Sequence, residues 1–337
     1  RQRQMCIRDR HRYDILTSLS GDDKVGFPYI VGQVAPIVNS GIVDNHGVEF
    51  EIGWNGHIGQ HFRYYIRPNF TFARNKIKYC NEISYIDNNG RDCPWRYQTG
   101  KRLDENFCYI FDHFVADQGE ADRLNAMNGG SGFAIWGPVQ PGDVVYKDLN
   151  GDGVVNTFDK VAIGYTLVPE INYGFGASVK WKGIDVSVFF SGVGHVTRII
   201  QGQNLFGASS TILRMGQIFE DVAKNRWTLD NQNPNAPYPR LSLNKVDNNQ
   251  QLSTYWQRDM SFMRLKDAEI GYTLPESMTK KWGLSKIRFY IQGKNLVTFS
   301  DFKLWDPEVN ANYGNVYPLI RCLLYTSDAA DDRISVD

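Results

Sequence analysis

Oxygen-bearing side chains recur at regular intervals between residues 148 and 159. The segment reads Asp-Leu-Asn-Gly-Asp-Gly-Val-Val-Asn-Thr-Phe-Asp, with acids or amides at positions 1, 3, 5, 9 and 12 and glycine at position 6. Ca²⁺ is a hard cation that takes about six to eight oxygen ligands, and this spacing supplies them. We therefore predict a structural calcium loop with the following ligands: Asp148, Asn150, Asp152, the carbonyl of Val154, Asn156 directly or through water, and Asp159.

The last position and the flanks of this loop indicate what kind of calcium site it is. Asp159 stands where many calcium loops have glutamate, as in dockerin-type loops, and the shorter side chain predicts weaker binding. The flanking sequence does not read as two amphipathic helices, so we expect a site that braces a loop and not a switching sensor. The alternative is a set of Asn/Asp-Gly turns that holds no ion.

No constellation of catalytic residues stands out. The six histidines show no metal-ligand spacing, and His57 and His61 lie in a predicted strand–turn segment. The glycine-rich stretch 129–132 lacks the lysine of a phosphate-binding loop. Glu49 and Glu51 resemble a glycosidase acid pair, but they alternate with apolar residues and are better explained as the polar face of a strand. We predict that the protein is not an enzyme.

The overall composition bounds the remaining function classes. The 337 residues contain 37 basic and 37 acidic side chains, and this zero net charge argues against a nucleic-acid partner. Tyrosine and phenylalanine are abundant, which favours strands. The mean hydropathy is −0.41, and no apolar run is long enough for a membrane helix. A barrel strand alternates between lipid and lumen, so this value is compatible with a membrane barrel.

Three cysteines fall in one polar stretch. A bridge between Cys80 and Cys93 is one alternative in an oxidising compartment, and unpaired, inert thiols at these positions and at Cys108 are the other.

The two ends of the chain look like translated sequencing-adapter read-through, and the alternative is genuine polar tails. We expect residues 1–10 and 321–337 to be such additions, with the second replacing a final strand, and residues 11–320 to be the protein proper.

Alternation of apolar and polar residues predicts three long hairpins. The first has strands at 48–55 and 62–72 around a turn at 55–60, and the second runs from 173 to 192 around a turn at 182–183. The third runs from about 262 to 299, with a short helix-like connection at 275–285. Each strand has one apolar face and one polar, partly charged face.

Short turns alternate with long polar connections, at 77–171, 193–261 and 300–320. This asymmetry is typical of an outer-membrane barrel, with short periplasmic turns and long extracellular loops, whereas a β-sandwich keeps connections short at both ends. Trp54, Trp181, Tyr173 and Phe299 stand near strand ends, where an aromatic girdle would lie. We predict an all-β fold, an antiparallel transmembrane β-barrel segment of about six strands with long extracellular loops.

Many short motifs, in order along residues 13–320, resemble those of SusC/RagA-type TonB-linked outer-membrane proteins of Bacteroidota. The matching segments are Gly47-Val48-Glu49-Phe50-Glu51, Tyr97-Gln98-Thr99-Gly100, 141–153, Tyr173-Gly174-Phe175-Gly176, Lys182-Gly183-Ile184-Asp185, Phe189-Phe190-Ser191-Gly192, Met263-Arg264-Leu265-Lys266, 270–275, Gly293-Lys294-Asn295-Leu296, Asp306-Pro307-Glu308 and 313–318.

This resemblance implies a function as well as a fold. It implies a plugged barrel of about 22 strands in the outer membrane, lidded by a SusD-like surface lipoprotein and energised by the TonB complex. The cargo would be an oligosaccharide or a peptide. The plug, the box that contacts TonB and the closing strand of the barrel are not found in this sequence. We therefore expect this chain to be part of an importer and not to close a barrel by itself.

Aromatic residues in the long loops are candidates for stacking on sugar rings, with simple packing of the loops as the alternative. These candidates are Trp95, Tyr97, Trp136 and Trp305. A rival function is a secreted, calcium-binding, β-rich glycan-binding or adhesion protein. The two functions differ in where the apolar strand faces point, because they face lipid in a barrel and meet each other in a sandwich.

Overall fold

The computed structural model describes residues 2–7, 9–18, 37–82, 84–207, 218–314, 316–317 and 319–330. Strands predominate, and the helices are few and short. The strands are β1 (Gln2–Ile7), β2 (Arg10–Ser18), β3 (Ile37–Ile58), β4 (Phe62–Tyr79), β5 (Phe107–Cys108), β6 (Phe111–Phe114), β7 (Val144–Tyr146), β8 (Val161–Ala162), β9 (Ile171–Trp181), β10 (Ile184–Gly194), β11 (Thr197–Ile199), β12 (Gln257–Asp259), β13 (Phe262–Thr273), β14 (Lys286–Phe299) and β15 (Cys322–Ala330). The helices are α1 (Gln118–Gly130), α2 (Gln203–Phe206), α3 (Glu220–Asn225) and α4 (Glu276–Thr279), with 3₁₀ turns at Pro94–Arg96, Thr157–Asp159, Asn248–Gln250 and Lys280–Trp282. Within the described ranges, no helix is long and apolar enough to span a membrane.

Nine strands form one antiparallel sheet, which we call the strand wall. Its order is β1-β3-β4-β9-β10-β13-β14-β15, and β2 pairs with the first half of β3. Among the described residues its first and last strands do not pair with each other, so the sheet is open. The three predicted hairpins are confirmed as β3–β4, β9–β10 and β13–β14, which are joined into the wall by the β4–β9 and β10–β13 pairings.

The hairpin turns follow from local backbone preferences. Lys182 and Gly183 both have positive φ, at 46° and 87°, as a two-residue hairpin turn of the primed type requires. Trp181 and Ile184 pair directly across this turn. The predicted helix-like connection at 275–285 is also confirmed, as α4 followed by a 3₁₀ turn that ends at Gly283 with φ of 68°.

Two strands lie in the end segments that we excluded from the fold on the sequence alone. β1 pairs with residues 48–53 of β3, and β15 pairs along β14. Leucine and tyrosine residues at 323–325 suit an edge strand, and β14 otherwise has a free row of backbone groups. A strand therefore follows β14 in this structure. The adapter origin of both segments, and the replacement of the closing strand by residues 321–337, stay predictions.

Apolar side chains form continuous rows across one face of the strand wall. One row crosses six strands by direct pairing, and its members are Ile58, Phe62, Trp181, Ile184, Tyr272 and Phe289. A second row lies nearer the long loops, and its members are Phe50, Phe70, Tyr173, Gly192, Met263 and Phe299. Most of these side chains are exposed, including Phe289 at 51% and Phe299 at 53%.

The spacing of the two rows suits a membrane. Along β9 they are eight residues apart, from Tyr173 to Trp181, which is about 26 Å of strand. A tilt of about 40° reduces this to about 20 Å along the membrane normal, comparable with an apolar band about 25 Å tall. The rows include three of the predicted girdle residues, Trp181, Tyr173 and Phe299. Trp54, opposite Ile66, lies midway between the two rows on the same face and not in a girdle.

The opposite face of the wall carries ion pairs. Arg288 donates hydrogen bonds to Asp185, with Nη2 2.5 Å from one carboxylate oxygen, and it also pairs with Glu269. Its side chain crosses β13 over Gly271, where a Cβ would stand 2.5 Å from Nη2. Arg67 similarly contacts Glu51, with Nε 2.6 Å from Oε1. This polar face agrees with the predicted lining of a lumen.

The long connections, rather than the wall, contain the buried core. They form what we call the loop body, which has two apolar clusters. The first contains the buried residues Tyr109, Phe114, Val115, Ala121, Phe133, Ala134, Val139, Val144, Val145, Tyr146, Val155, Trp227 and Ala236. The second contains Cys108, Val196, Ile199, Ile200, Leu205, Val222, Tyr238, Trp256, Met260 and Phe302. Among the described residues, the exposed wall rows do not meet a second sheet in a shared core, so a sandwich is not favoured.

Candidate functional site

The predicted calcium loop folds into a closed turn in the loop body. The two carboxylate oxygens of Asp148 accept hydrogen bonds from the amides of Gly151 and Gly153, each at 2.7 Å. Asp159 is fully buried, and it accepts from the amides of Leu149 and Asn156, each at 2.8 Å. Burial raises the pKa of Asp159 above its ordinary value, although these backbone hydrogen bonds oppose the shift.

The remaining predicted ligands line the same turn. Asn150 Oδ1 accepts from the amide of Asp152 at 3.1 Å, and Asp152 Oδ1 accepts from the amide of Val154 at 2.8 Å. Asn156 Oδ1 accepts from an amide two residues ahead, and its Nδ2 donates to the Val154 carbonyl at 3.2 Å. Within the described residues no three His, Cys, Asp or Glu side chains form a group that could hold a metal. Calcium binding here stays a prediction.

Sequence reasoning missed one acid that reaches this turn from another loop. Asp87 is 5% exposed, and Asn150 Nδ2 donates to its Oδ2 at 3.2 Å. Its other oxygen accepts from the amides of Asn89 and Arg91. Arg91 also donates to the Asn150 carbonyl at 3.0 Å, so two loops brace each other. An aspartate before an Asn-Asn-Gly turn reads only as a turn residue, so spacing offered no signal for this contact.

The four aromatic candidates take different places in the loop body. The indole of Trp95 donates to the Phe158 carbonyl at 2.6 Å, and the Tyr97 hydroxyl donates to Asp92 at 3.0 Å. Trp136 packs edge-on against Tyr109 in the first apolar cluster. Trp305 packs against Phe302 in the second, and its indole nitrogen has no partner there. Across the described residues no ring contact joins any two of the four, so their role in stacking on cargo stays a prediction.

An ion cluster joins the strand wall to the loop body at the start of β9. Glu170 is 4% exposed and accepts two hydrogen bonds from Arg74, at 2.9 and 2.7 Å, and one from Arg102 at 2.6 Å. His195 Nδ1 is 3.1 Å from Oε2 of Glu170, and the His195 ring stacks on Tyr165. Burial alone would raise the pKa of Glu170, but the two arginines outweigh it and hold the pKa below its ordinary value.

A second ion cluster ties the segment after β14 to the wall. Arg264 is 2% exposed, and its guanidinium pairs with Asp306 and lies 3.4 Å from a Glu308 oxygen. Lys266 pairs with the same glutamate at 2.5 Å. The segment that follows β14 therefore folds back over the polar face of β13.

The alternative of a disulfide between Cys80 and Cys93 is not found in the structure. Cys80, Cys93 and Cys108 are all unbridged. Cys93 and Cys108 are buried, and burial raises the pKa of the Cys108 thiol to about 11. Cys80 is only partly buried and lies 3.4 Å from the Thr99 hydroxyl. A buried, protonated thiol is a poor nucleophile, which suits packing rather than chemistry.

The amino-acid sequence resembles curated TonB-dependent receptors. It is 27% identical over 299 residues to TonB-dependent receptor P3 of Formosa agariphila, a match that covers 86% of this chain and 27% of the relative. TonB-dependent receptor P26 of the same organism is 26% identical over 295 residues, covering 86% of this chain and 28% of the relative. The chain thus spans just over a quarter of the length of the curated relatives it matches. No protein-family model matches the sequence.

The fold resembles solved structures of a peptide importer. The RagAB peptide transporter superimposes with a TM-score of 0.69 at 20% identity, covering 97% of this chain and 33% of that chain. The RagAB peptide importer in its open-open state gives a TM-score of 0.67 at 21% identity, covering 97% of this chain and 32% of that chain. The predicted fold class, an antiparallel barrel segment, is confirmed, as is the resemblance to TonB-linked receptors.

Proposed function

From its similarity to TonB-dependent receptors as the premise, we propose that this chain forms part of the wall and outer loops of an energy-coupled importer in a bacterial outer membrane. The whole protein would carry peptides or oligosaccharides through a barrel lumen without bond chemistry. A surface lipoprotein of the SusD type would close the barrel from outside. The TonB complex would act on a part of the protein that this chain does not include.

The exposed apolar face of the strand wall carries this proposal. In water, two rows of exposed aromatic and aliphatic side chains across six strands would favour aggregation, whereas lipid solvates them at no cost. The opposite face is polar and ion-paired, as at Arg288 and Asp185, which suits an aqueous lumen. The named relatives are receptors, which agrees with transport and offers no support for enzymatic activity.

We also propose that the loop between Asp148 and Asp159 binds Ca²⁺ to brace the loop body. The atoms that would coordinate the ion are all oxygens. Each carboxylate oxygen that accepts a hydrogen bond from one amide retains a second lone pair for a cation. The burial of Asp159 is a further support, because a cation would stabilise its charged form. Titration calorimetry should show heat on addition of Ca²⁺ that disappears in Asp148→Ala; equal heat in both proteins would refute these ligands.

Membrane insertion tests the transport proposal on the chain as it exists. We expect Ile270→Arg, on the apolar face, to weaken stable association with lipid vesicles by about 2–4 kcal/mol. Ile270 is 53% exposed and pairs with Val186 and Ile291 in the apolar face. The matched control is Ser187→Arg. Ser187 follows Val186, the partner of Ile270, in β10 and therefore lies on the polar face. Equal vesicle binding by both variants would contradict the proposal.

A partner experiment separates the lipoprotein from the membrane. We expect the full-length receptor that contains this stretch to co-purify from detergent-solubilised outer membranes with a lipoprotein encoded beside it. Recovery of the receptor alone, at stoichiometric yield and in several mild detergents, would contradict the lipoprotein part of the proposal while leaving the membrane part intact.

A further inference from the structure

Three cationic side chains converge in the loop body around the short ribbon of β5 and β8. Arg96 ends the 3₁₀ turn Pro94–Arg96, Lys101 follows it, and Lys160 immediately precedes β8. The guanidinium of Arg96 and the ammonium of Lys101 both lie over the Phe107 ring, at 5.4 and 4.7 Å from its centroid. Lys160 lies 5.2 Å from the neighbouring Tyr109 ring. The three positive groups therefore occupy one region, half-buried against aromatic faces.

None of the three cations forms an ion pair within the part of the chain that the structure describes. Arg96 and Lys160 also have no side-chain hydrogen bond there, and the Nε of Arg96 is buried without an acceptor. Lys101 donates to the Trp95 carbonyl and uses one of its three donors. Buried polar groups are almost always paired, so the buried Nε of Arg96 calls for an acceptor.

The two carboxylates that act on Lys101 are already engaged elsewhere. Glu82 accepts from the amides of Gln98 and Thr99 and from the Thr99 hydroxyl. Glu105 is held by Arg102, with its Oε1 3.2 Å from the guanidinium. Both lie close enough to act on Lys101 but not to pair with it. Among the described residues, Lys101 is thus left without a carboxylate partner.

The protonation of the two lysines is shifted as expected for unpaired, desolvated cations. Burial lowers the pKa of Lys101 although Glu105 and Glu82 oppose the shift, and the nearby Arg96 adds to the lowering. Burial and Arg96 lower the pKa of Lys160 in the same way. Like charges that are partly desolvated repel each other, and an anion between them would remove both costs.

We propose that Arg96, Lys101 and Lys160 form a binding site for an oxyanion, the carboxylate or sulfate group of a ligand. Arg96 offers a planar fork that matches two oxygens, and the lysines offer rotatable donors on either side. Trp95 and Tyr97 flank Arg96 in sequence, and Tyr97 contacts the Tyr85 ring on which Arg96 also stacks at 5.1 Å. This site does not depend on the transport proposal.

Competitive lysine labelling tests this site on the full folded chain. A lysine with a lowered pKa reacts readily with acetic anhydride in mildly alkaline solution, and a bound anion shields it. Labelling in sodium sulfate is compared with labelling in sodium chloride at equal ionic strength. We expect the labelling of Lys101 and Lys160 in sulfate to be about threefold lower once sulfate reaches about twice its Kd. Sodium acetate, as the carboxylate probe, should act in the same direction. Lys147, which lies 3.8 Å from Asp112 in the same loop body, should not change.

Two variants sharpen the test. Arg96→Gln should abolish the protection of both lysines. Arg91→Gln should retain it, because the guanidinium of Arg91, in the same loop, donates to the Asn150 carbonyl. Cys108 must stay unreactive to thiol reagents in both variants, which shows that the fold is intact. If Arg96→Gln unfolds, Lys160→Gln replaces it, with the labelling of Lys101 as the readout. Equal labelling in sulfate and chloride, equal protection of Lys147, or protection that survives Arg96→Gln would each overturn the site.

Discussion

The strand wall exposes its apolar side chains, whereas the loop body buries them. In the wall, Phe289 and Ile291 are 51% and 54% exposed, whereas in the loop body Trp256 and Val144 are fully buried. The wall is held together by backbone hydrogen bonds between strands, and its apolar groups remain on the outside. The loop body has its own dry core. The two regions are therefore suited to different solvents, lipid for the wall and water for the loops.

The largest effect should come from removing an aromatic anchor of the loop body. Trp256→Ala deletes a fully buried indole and its 2.7 Å hydrogen bond to the Asn249 carbonyl. We expect a loss of about 3–5 kcal/mol in the free energy of unfolding, measured by urea titration in detergent micelles. The matched wall variant, Phe289→Ala, removes a side chain that detergent already solvates. A similar loss in both variants would remove the distinction between the two regions.

The junction between the regions should be next in size. Glu170→Gln leaves Arg74 and Arg102 without their shared carboxylate, and we expect a loss of about 2–4 kcal/mol. Because the pKa of Glu170 is lowered on folding, its stabilisation is complete above its unfolded value of 4.5 and is lost as pH falls through the lower folded value. The wild-type protein should therefore lose stability in this acidic range more steeply than the variant. Parallel pH profiles would contradict the assignment.

A smaller effect is expected on the polar face of the wall. Gly271→Ala places a Cβ 2.5 Å from Arg288 Nη2, so the arginine must move away from Asp185 and Glu269. Because Arg288 is long and flexible, we expect a loss of about 1–2 kcal/mol in the free energy of unfolding. Gly176→Ala, in β9, is a control for glycine removal without a clash, since the nearest atom to its added Cβ stands at an ordinary 3.6 Å. Neither glycine has a positive φ, so backbone strain does not separate the two variants. A loss for Gly271→Ala no greater than that of the control would exclude the Arg288 contact as its cause.

The mildest comparison uses thiols and changes no residue. Cys80 is partly buried, whereas Cys108 is fully buried with its pKa raised to about 11. We expect Cys80 to react with iodoacetamide in the folded chain and Cys108 to react only after urea unfolding, as followed by mass spectrometry. Fast labelling of Cys108 without urea would show that the loop body opens readily.

Much of the wall could be predicted from sequence, because strand periodicity is local. Alternation placed β9, β10 and β14 to within a few residues, and it assigned the apolar face correctly. It placed the start of β4 but ended that strand at residue 72, whereas β4 continues to Tyr79. The core of the loop body could not be predicted, because its contacts join residues far apart in the chain. Tyr146, for example, donates to the Asn248 carbonyl. The contact of Asp87 with the acidic turn and the convergence of Arg96 with Lys160 are likewise invisible to spacing.

The most direct test of the central claim is whether the apolar face of the wall contacts lipid. In Phe289→Trp, brominated acyl chains in reconstituted vesicles should quench the fluorescence of the introduced indole, measured as the difference from the wild-type chain. Removing Trp256 by substitution with Phe should leave the intensity lost to quenching unchanged, since that indole lies in the dry loop core. Strong quenching at position 289 is the predicted result. Absence of quenching there, in vesicles to which the protein is bound, would contradict a membrane wall.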